Sequence, residues 1–449
     1  MFKVKKIVLL LCMAVLPLWA QEGGQAGTGT DSSQSAPNWT PLLNQSTLAF
    51  SSELNRTNYV SGGVSLGSTF DDNALNTRAD RMSNFGYSFL PFIELDQSRS
   101  RLNWRLNYAG GFVMNQHLTA RNQASHDFGL QGQYRLSPHV TLALRDHFLN
   151  TTGFYDQVNQ NFNPPTGGLL QQSNQFVITP QVRQVGNTAS AQLEYQFARD
   201  SKVGASGSFD LLHYSDVPVG TSLVDTQGVA AQAYYNHRLV GQNWFGISYR
   251  YQKLSFSPLA NRTFVNSVLL TDTIYITHTM TLALFAGPEQ VNNRIAYVPG
   301  VTSPANGPPR SKFWSVAAGG SFNWNGKRTG FVAEGSRMVS DGGGLGGAVQ
   351  LISADTGVRH QWSESLSSQL DVMYGNNHAL SRLTSPYSSL KTVSANFSVT
   401  RTLGNTLFLT LGYARDLQQQ HQGLPAMVNI NHNRAWATVS YNFKRPLGR

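Results

Sequence analysis

The chain has 449 residues, with 34 Lys plus Arg against 24 Asp plus Glu, a formal charge of +10 and one cysteine. Charged residues make up 13% and apolar residues 40%, while 41 Gly and many Ser, Thr, Asn and Gln fill the rest. This balance excludes a disordered acidic or basic chain, which needs high net charge and few aromatics, and a helical bundle, which draws on Ala, Glu, Lys and Leu. A β-rich protein remains, and its length suits three ordinary domains or one large barrel.

Residues 1–20 read as an export signal. Lys3, Lys5 and Lys6 form a charged start, an apolar run follows from Ile7 to Leu16, and Leu18-Trp19-Ala20 ends on a small residue before Gln21. The run is too short to span a bilayer. Bulky Leu11 before Cys12 argues against a lipid-modified N-terminus. Cleavage after Ala20 removes Cys12, so disulfides and thiolate metal sites are not expected. Without the three signal lysines the chain is still basic. Residues 21–57 are rich in Gly, Ser, Thr and Gln and read as a flexible periplasmic segment.

From Asn58 onward, segment after segment alternates an apolar or aromatic residue with a small or polar one, the period of a strand with two unlike faces. Phe245, Ile247, Tyr249 and Tyr251 oppose Gly246, Ser248, Arg250 and Gln252. Leu102, Trp104, Leu106 and Tyr108 alternate with Asn103, Arg105 and Asn107. Tight turns at 136–139, 199–202, 325–328 and 403–405 separate longer connections at 71–82, 151–181, 215–227, 288–310, 375–388 and 418–429. Short turns alternating with long loops are the pattern of an up-and-down transmembrane barrel in the bacterial outer membrane. The expected fold is therefore all-β, an antiparallel barrel of about 18 strands over residues 58–443, with 16 as the alternative count, followed by a tail at 444–449. Three stretches fit less well: 266–276, where Asp272 interrupts the apolar face; Gly-rich 342–352; and the arm before Phe197, with a bend expected at Gly186.

Period-two alternation also describes soluble sandwiches and propellers. A propeller needs a blade repeat of about 40 to 50 residues, and none is found. Trp314, Trp324, Tyr195, Phe197, Tyr413, Tyr441 and Phe443 are expected near strand ends, where interfacial girdles place aromatics. The final strand alternates Ala437, Val439, Tyr441, Phe443 and looks like the C-terminal signal read by the barrel assembly machinery, although six further residues follow it here. With the signal peptide and hairpin series, the chain resembles Gram-negative outer-membrane barrels of porin type. That resemblance implies a water-filled pore embedded in outer-membrane lipid, a homotrimer, and a third external loop folded inward.

Placing apolar residues toward lipid sends Arg105, Arg135, Arg145, Arg238, Arg250, Glu194, Asp210, Glu334 and Asp371 into the lumen, since a charge at the lipid midplane costs about 2 to 4 kcal/mol. Arg105, Arg135 and Arg145 fall on three consecutive strands beside those of Glu194 and Asp210, so basic and acidic walls are expected side by side. The competing reading is that these residues pair across strands and brace the wall. The basic excess favours anionic solutes. The constriction is sought in the third long connection, with Tyr155, Asp156, Asn161 and Asn163, while the run from Asp341 to Gly344 reads as a tight external hairpin.

Enzyme signatures are lacking. The histidines are scattered without a nucleophile-and-base spacing, and there is no His-Glu-x-x-His, paired cysteine or EF-hand pattern, so neither metal nor cofactor is expected. Arginines spread along two-faced strands form no nucleic-acid surface. The leading reading is a porin-like channel for passive diffusion of small hydrophilic or anionic solutes. Its alternatives are an export pore for an anionic polysaccharide and a structural or adhesive barrel plugged by its own loops.

Overall fold

The computed structural model describes residues 58–76, 81–119, 122–151, 177–178, 182–215, 223–239, 243–258, 261–294, 310–380, 387–423 and 429–447. The expected signal peptide and N-terminal segment lie outside these residues. Eighteen strands carry the fold: β1 (Asn58–Asp71), β2 (Asn84–Ser98), β3 (Leu102–Asn115), β4 (Gln123–Arg135), β5 (Val140–Thr151), β6 (Arg183–Ala198), β7 (Ser201–Ser215), β8 (Asp225–Arg238), β9 (Trp244–Ser257), β10 (Asn261–Thr277), β11 (Met280–Arg294), β12 (Arg310–Asn325), β13 (Thr329–Ser340), β14 (Val349–Ser363), β15 (Leu366–Ala379), β16 (Tyr387–Leu403), β17 (Leu407–Gly423) and β18 (Ile430–Pro446). Each pairs antiparallel with its neighbours in chain order, and β1 closes onto β18, with Gly62 opposite Phe443 and Asp71 opposite Arg434. Closure leaves no free sheet edge around the ring except at the outer end of β12, where residues 310–317 pair with β11 alone.

Residues opposite one another in the ladder share a face, so the register sorts every strand into an inward and an outward set. On β9, Phe245, Ile247 and Tyr249 are exposed outside, whereas Ser248, Arg250 and Gln252 are buried inside, as the alternation predicts. Leu66, Phe89, Ile93, Leu144, Leu193, Val268 and Phe397 continue the outward apolar surface around the ring. A soluble protein does not expose an apolar belt on this scale, whereas a membrane barrel turns it to lipid.

Both chain ends of the barrel and every connection of two to five residues after an even-numbered strand lie at one end, the periplasmic end of such barrels. The other end carries the longer connections, apart from the three-residue link at 258–260. Tyr195, Phe197 and Tyr235 line up outside near the periplasmic end, with ring centroids 6.4 and 6.3 Å apart. Tyr441 and Phe443 lie at the same end, but Tyr413 is the seventh residue of β17 and sits away from the rim.

Several boundaries move. Strands β11, β15 and β17 continue to Arg294, Ala379 and Gly423, past the expected loop starts at 288, 375 and 418. At these outer ends the inward residues Glu289, Asn293, Asn377 and Gln418 are polar yet buried, so the apolar–polar alternation of the sequence fades while the hydrogen-bond ladder persists. Residues 266–276 belong to β10, with Asp272 on the outward face opposite Phe245, and Gly186 lies within an unbroken β6. The expected tail also begins later, because Lys444, Arg445 and Pro446 still pair with Ser61, Val60 and Tyr59. The Lys444 ammonium sits 3.8 Å from the centre of the Tyr59 ring.

Candidate functional site: the lumen and its infolded segment

The Gly-rich run does not form an external hairpin; it enters the barrel. Pairing between β12 and β13 ends at Ala318 and Arg337, although β12 begins at Arg310. Beyond Arg337 the chain turns inward, and the Val339 N–H donates to Glu289 on β11 (3.3 Å). Residues 341–348 are then buried without exception. Their backbone is held from several strands. The Val224 N–H donates to the Gly344 carbonyl (2.9 Å), the Tyr214 hydroxyl to that of Gly343 (3.2 Å), and the Asn261 amide to that of Gly346 (3.1 Å). Gly343 and Gly344 have φ of 56° and 91°, and a Cβ on Gly344 would lie 2.6 Å from the Tyr214 hydroxyl, so glycine is required there.

Apolar side chains seal this outer half. Val339 and Ala348 pack with Val224, Leu254, Phe256, Val265 and Val291, and Leu345 packs with Val177, Val349 and Leu390. Sequence reasoning missed the infold because glycine runs ordinarily mark exposed turns. The usable signal was Leu345, an apolar residue among glycines.

Tyr155, Asp156, Asn161 and Asn163 of the third long connection lie outside the described residues. Val177 and Ile178 of that connection are described, and both are buried. The Gln418 side chain on β17 accepts from the Ile178 N–H (2.8 Å) and donates to its carbonyl (3.2 Å).

The register places all nine charged candidates on the inward face, but several brace the wall. Arg105 binds Asp96 (2.8 Å) and Glu94 (3.2 Å) on β2. Arg238 pairs with Asp200 in the β6–β7 turn. Glu194 accepts from the Tyr234 hydroxyl (2.9 Å) and lies 3.4 Å from the Lys202 ammonium. Arg250 is buried and donates to Gln252 (2.8 Å). Arg135 and Arg145 lie opposite Thr141 and Gln131, and Asp210 opposite Thr188 and Gly228. Glu334 and Asp371 belong to an acidic stretch of β13–β15 that includes Asp355, a residue sequence reasoning passed over. In ring order that stretch stands across from Arg105, Arg135 and Arg145 on β3–β5.

Inward carboxylates outnumber inward cations among the described residues. Part of the basic excess is turned outward at the outer end, as with Arg262, Lys312 and Lys391. The overall basic charge therefore does not describe the lumen.

Two other polar groupings are structural. Oxygens of Asp71 and Asp72 and a ring nitrogen of His432 lie within 4.8 Å of one another. Asp71 is bonded to His432 and to the Asn73 N–H, and Asp72 to both nitrogens of Asn433, so the group latches β1 to β18. Ser201 Oγ lies 2.8 Å from His237 Nδ1, but Ser201 is buried, out of reach of a substrate.

A closed 18-stranded antiparallel barrel with an outward apolar belt and charged and polar groups on its inner face has the architecture of a bacterial outer-membrane β-barrel and resembles those of porin type. No protein-family model matches the chain, and no curated protein matches it. Among solved structures it is similar to Pseudomonas aeruginosa OccK2 (OpdF), at 11% identity over 87% of this chain and 98% of that one, with a TM-score of 0.42. It is also similar to Acinetobacter baumannii OccAB3, at 8% identity over 86% of this chain and 99% of that one, with a TM-score of 0.40.

Proposed function

We propose that the protein is a porin-like channel for passive diffusion of small hydrophilic solutes, including anionic ones, narrowed at its outer end by the infolded segment 341–348. The burial of that segment against Tyr214, Val224 and Asn261 carries the reading. Below it, inward Ser, Thr, Asn, Gln and charged residues suit an aqueous path, and Arg105, Arg135 and Arg145 across from Glu334, Asp355 and Asp371 suit an oriented dipolar solute. Planar-bilayer recording under a salt gradient tests it. Stable conductance steps are expected, and silence from folded, inserted protein overturns it. The apolar seal around Leu345 favours, as the second reading, a structural barrel plugged by its own loops.

The same proposal assigns no catalysis to the barrel and takes 1–20 as a cleaved signal and 21–57 as a periplasmic segment. It also takes Val439, Tyr441 and Phe443 as the signal for the assembly machinery and a homotrimer as the assembled form. N-terminal sequencing and crosslinking in native membranes test the processing and the trimer.

A further inference from the structure

The outside of the barrel changes character at the outer end of β9–β12. Trp314 and Trp324 both face outward on β12, ten positions apart. At about 3.3 Å per residue and a tilt of about 35 to 45°, that spacing is about 25 Å along the membrane normal, the height of the apolar band between two aromatic girdles. Trp314, 67% exposed, therefore marks the outer interface, with Val268, Leu270 and Val316 exposed on its membrane side.

One outward position further, the register aligns Lys253, Phe264, Asn292 and Lys312, and one beyond that it aligns Arg262, Arg294 and Arg310. The first of these levels lies about 5 Å above Trp314, among the lipid head groups. Arg294 leans down to it, its guanidinium carbon 4.9 Å from the centre of the Phe264 ring. Lys253, Arg262, Arg294 and Lys312 thus gather on the outside, and among the described residues none of the four has an ion-pair partner. Above the level of Leu270 the outward positions of β9–β12 carry no carboxylate. On the neighbouring β8, Asp225 is taken up by His213 (2.7 Å) and the Tyr214 N–H (2.9 Å). Like charges directly opposite one another on a ladder repel, so Arg262 and Arg294 face each other at a cost that an anion between them reverses. Planar guanidinium groups bind phosphate through paired hydrogen bonds.

A second feature is independent of charge. Residues 310–317 of β12 pair with β11 alone, because β13 turns into the lumen. The N–H and C=O groups on the far edge of this stretch have no backbone partner among the described residues. An edge at the lipid boundary needs both donors and acceptors to meet it. Phosphate oxygens only accept, whereas sugar hydroxyls do both. The patch and the edge together suit a head group that carries phosphate and sugar at once.

We propose that Lys253, Arg262, Arg294 and Lys312 hold a phosphorylated glycolipid of the outer leaflet against β9–β12, with phosphate at the arginines and sugar along the free edge of β12. The site needs only the folded barrel in its membrane and stands whether or not the pore conducts.

The test is native mass spectrometry of the delipidated full barrel in detergent, titrated with lipid A, a doubly phosphorylated and acylated glucosamine disaccharide, or with phosphatidylglycerol. Each variant is first shown to be folded by its heat-dependent gel mobility. Lipid A is expected to bind saturably, about tenfold more tightly than phosphatidylglycerol and about tenfold more weakly to R262Q/R294Q. Its binding is expected to be unchanged in Lys391→Gln, which removes an outward lysine of the outer end on β16. Absence of saturable lipid A binding overturns the proposal, as does equal affinity in R262Q/R294Q. Equal affinity for phosphatidylglycerol assigns the patch to anionic lipid at large and overturns the glycolipid. A loss in Lys391→Gln as large as in the double variant means that net charge alone recruits the lipid, and overturns it too.

Discussion

Gln418 grips Ile178 by both backbone groups, accepting from its N–H and donating to its carbonyl across 240 positions of sequence. A side-chain amide is suited to this because it carries an acceptor and a donor side by side. The grip fixes the end of the third long connection inside the barrel wall.

Gln418→Ala removes both bonds, each worth about 0.5 to 1.5 kcal/mol net, and frees the connection. The expected result is larger or noisier single-channel conductance together with faster proteolysis between Thr151 and Val182. Gln418→Glu keeps the acceptor but sets a buried carboxylate oxygen against the Ile178 carbonyl, so its effect should be at least as large as that of Gln418→Ala. Unchanged conductance and proteolysis in Gln418→Ala would show that the contact is incidental.

Gly344 and Gly404 separate backbone strain from steric filling. Both have positive φ, 91° and 72°, but a Cβ at Gly344 meets Tyr214 while one at Gly404 meets open space. Either change to alanine carries the cost of a left-handed residue, about 1 kcal/mol or more. Only Gly344→Ala should also expel the infolded segment, raising conductance at least twofold and exposing 341–348 to protease. Equal conductance in the two variants would mean that the segment does not set the width of the pore.

The acidic strip makes its own statement about selectivity. If solutes pass β13–β15, removing three charges with E334Q/D355N/D371N shifts the reversal potential toward anion preference, more strongly at low salt, where screening is weak. Arg145→Gln should move it the opposite way. A reversal potential unmoved by either change would place the conducting path away from both walls.

The barrel was largely legible in the sequence, because lipid on one side and polar lumen on the other enforce a period of two wherever the strand crosses the membrane. Phe245 to Gln252 illustrates this: each side chain lies on the expected face. Legibility failed where the side chains on the two faces become alike in polarity, although the inward ones are buried. The outer ends of β11, β15 and β17 carry mostly polar residues on both faces, with Val291 an isolated apolar exception, so they looked like loop. The infold failed for a different reason. The environment of Leu345 is created by Val177, Val349 and Leu390 from remote parts of the chain, and no local pattern records that convergence. Charged candidates were visible by their parity alone. Whether each braces the wall or stands apart depends on the neighbouring strand's register, which gives Arg105 two carboxylates and leaves Glu334 facing Asp355.

Glu194 shows what bracing is worth. It is held by Lys202, with both side chains buried, and by the Tyr234 hydroxyl, while the Lys202 ammonium also lies 4.7 Å from the Trp244 ring centre. Removing one member of a buried pair strands the other charge, at about 3 to 5 kcal/mol, whereas replacing both by apolar residues is often nearly neutral. Lys202→Met should therefore destabilise the barrel strongly in urea unfolding from micelles. The double variant K202M/E194L should recover most of that loss, and Tyr234→Phe alone should cost about 1 to 3 kcal/mol. Additive effects in the double variant would show that Lys202 and Glu194 contribute independently, and would return Glu194 to the groups available to a passing solute.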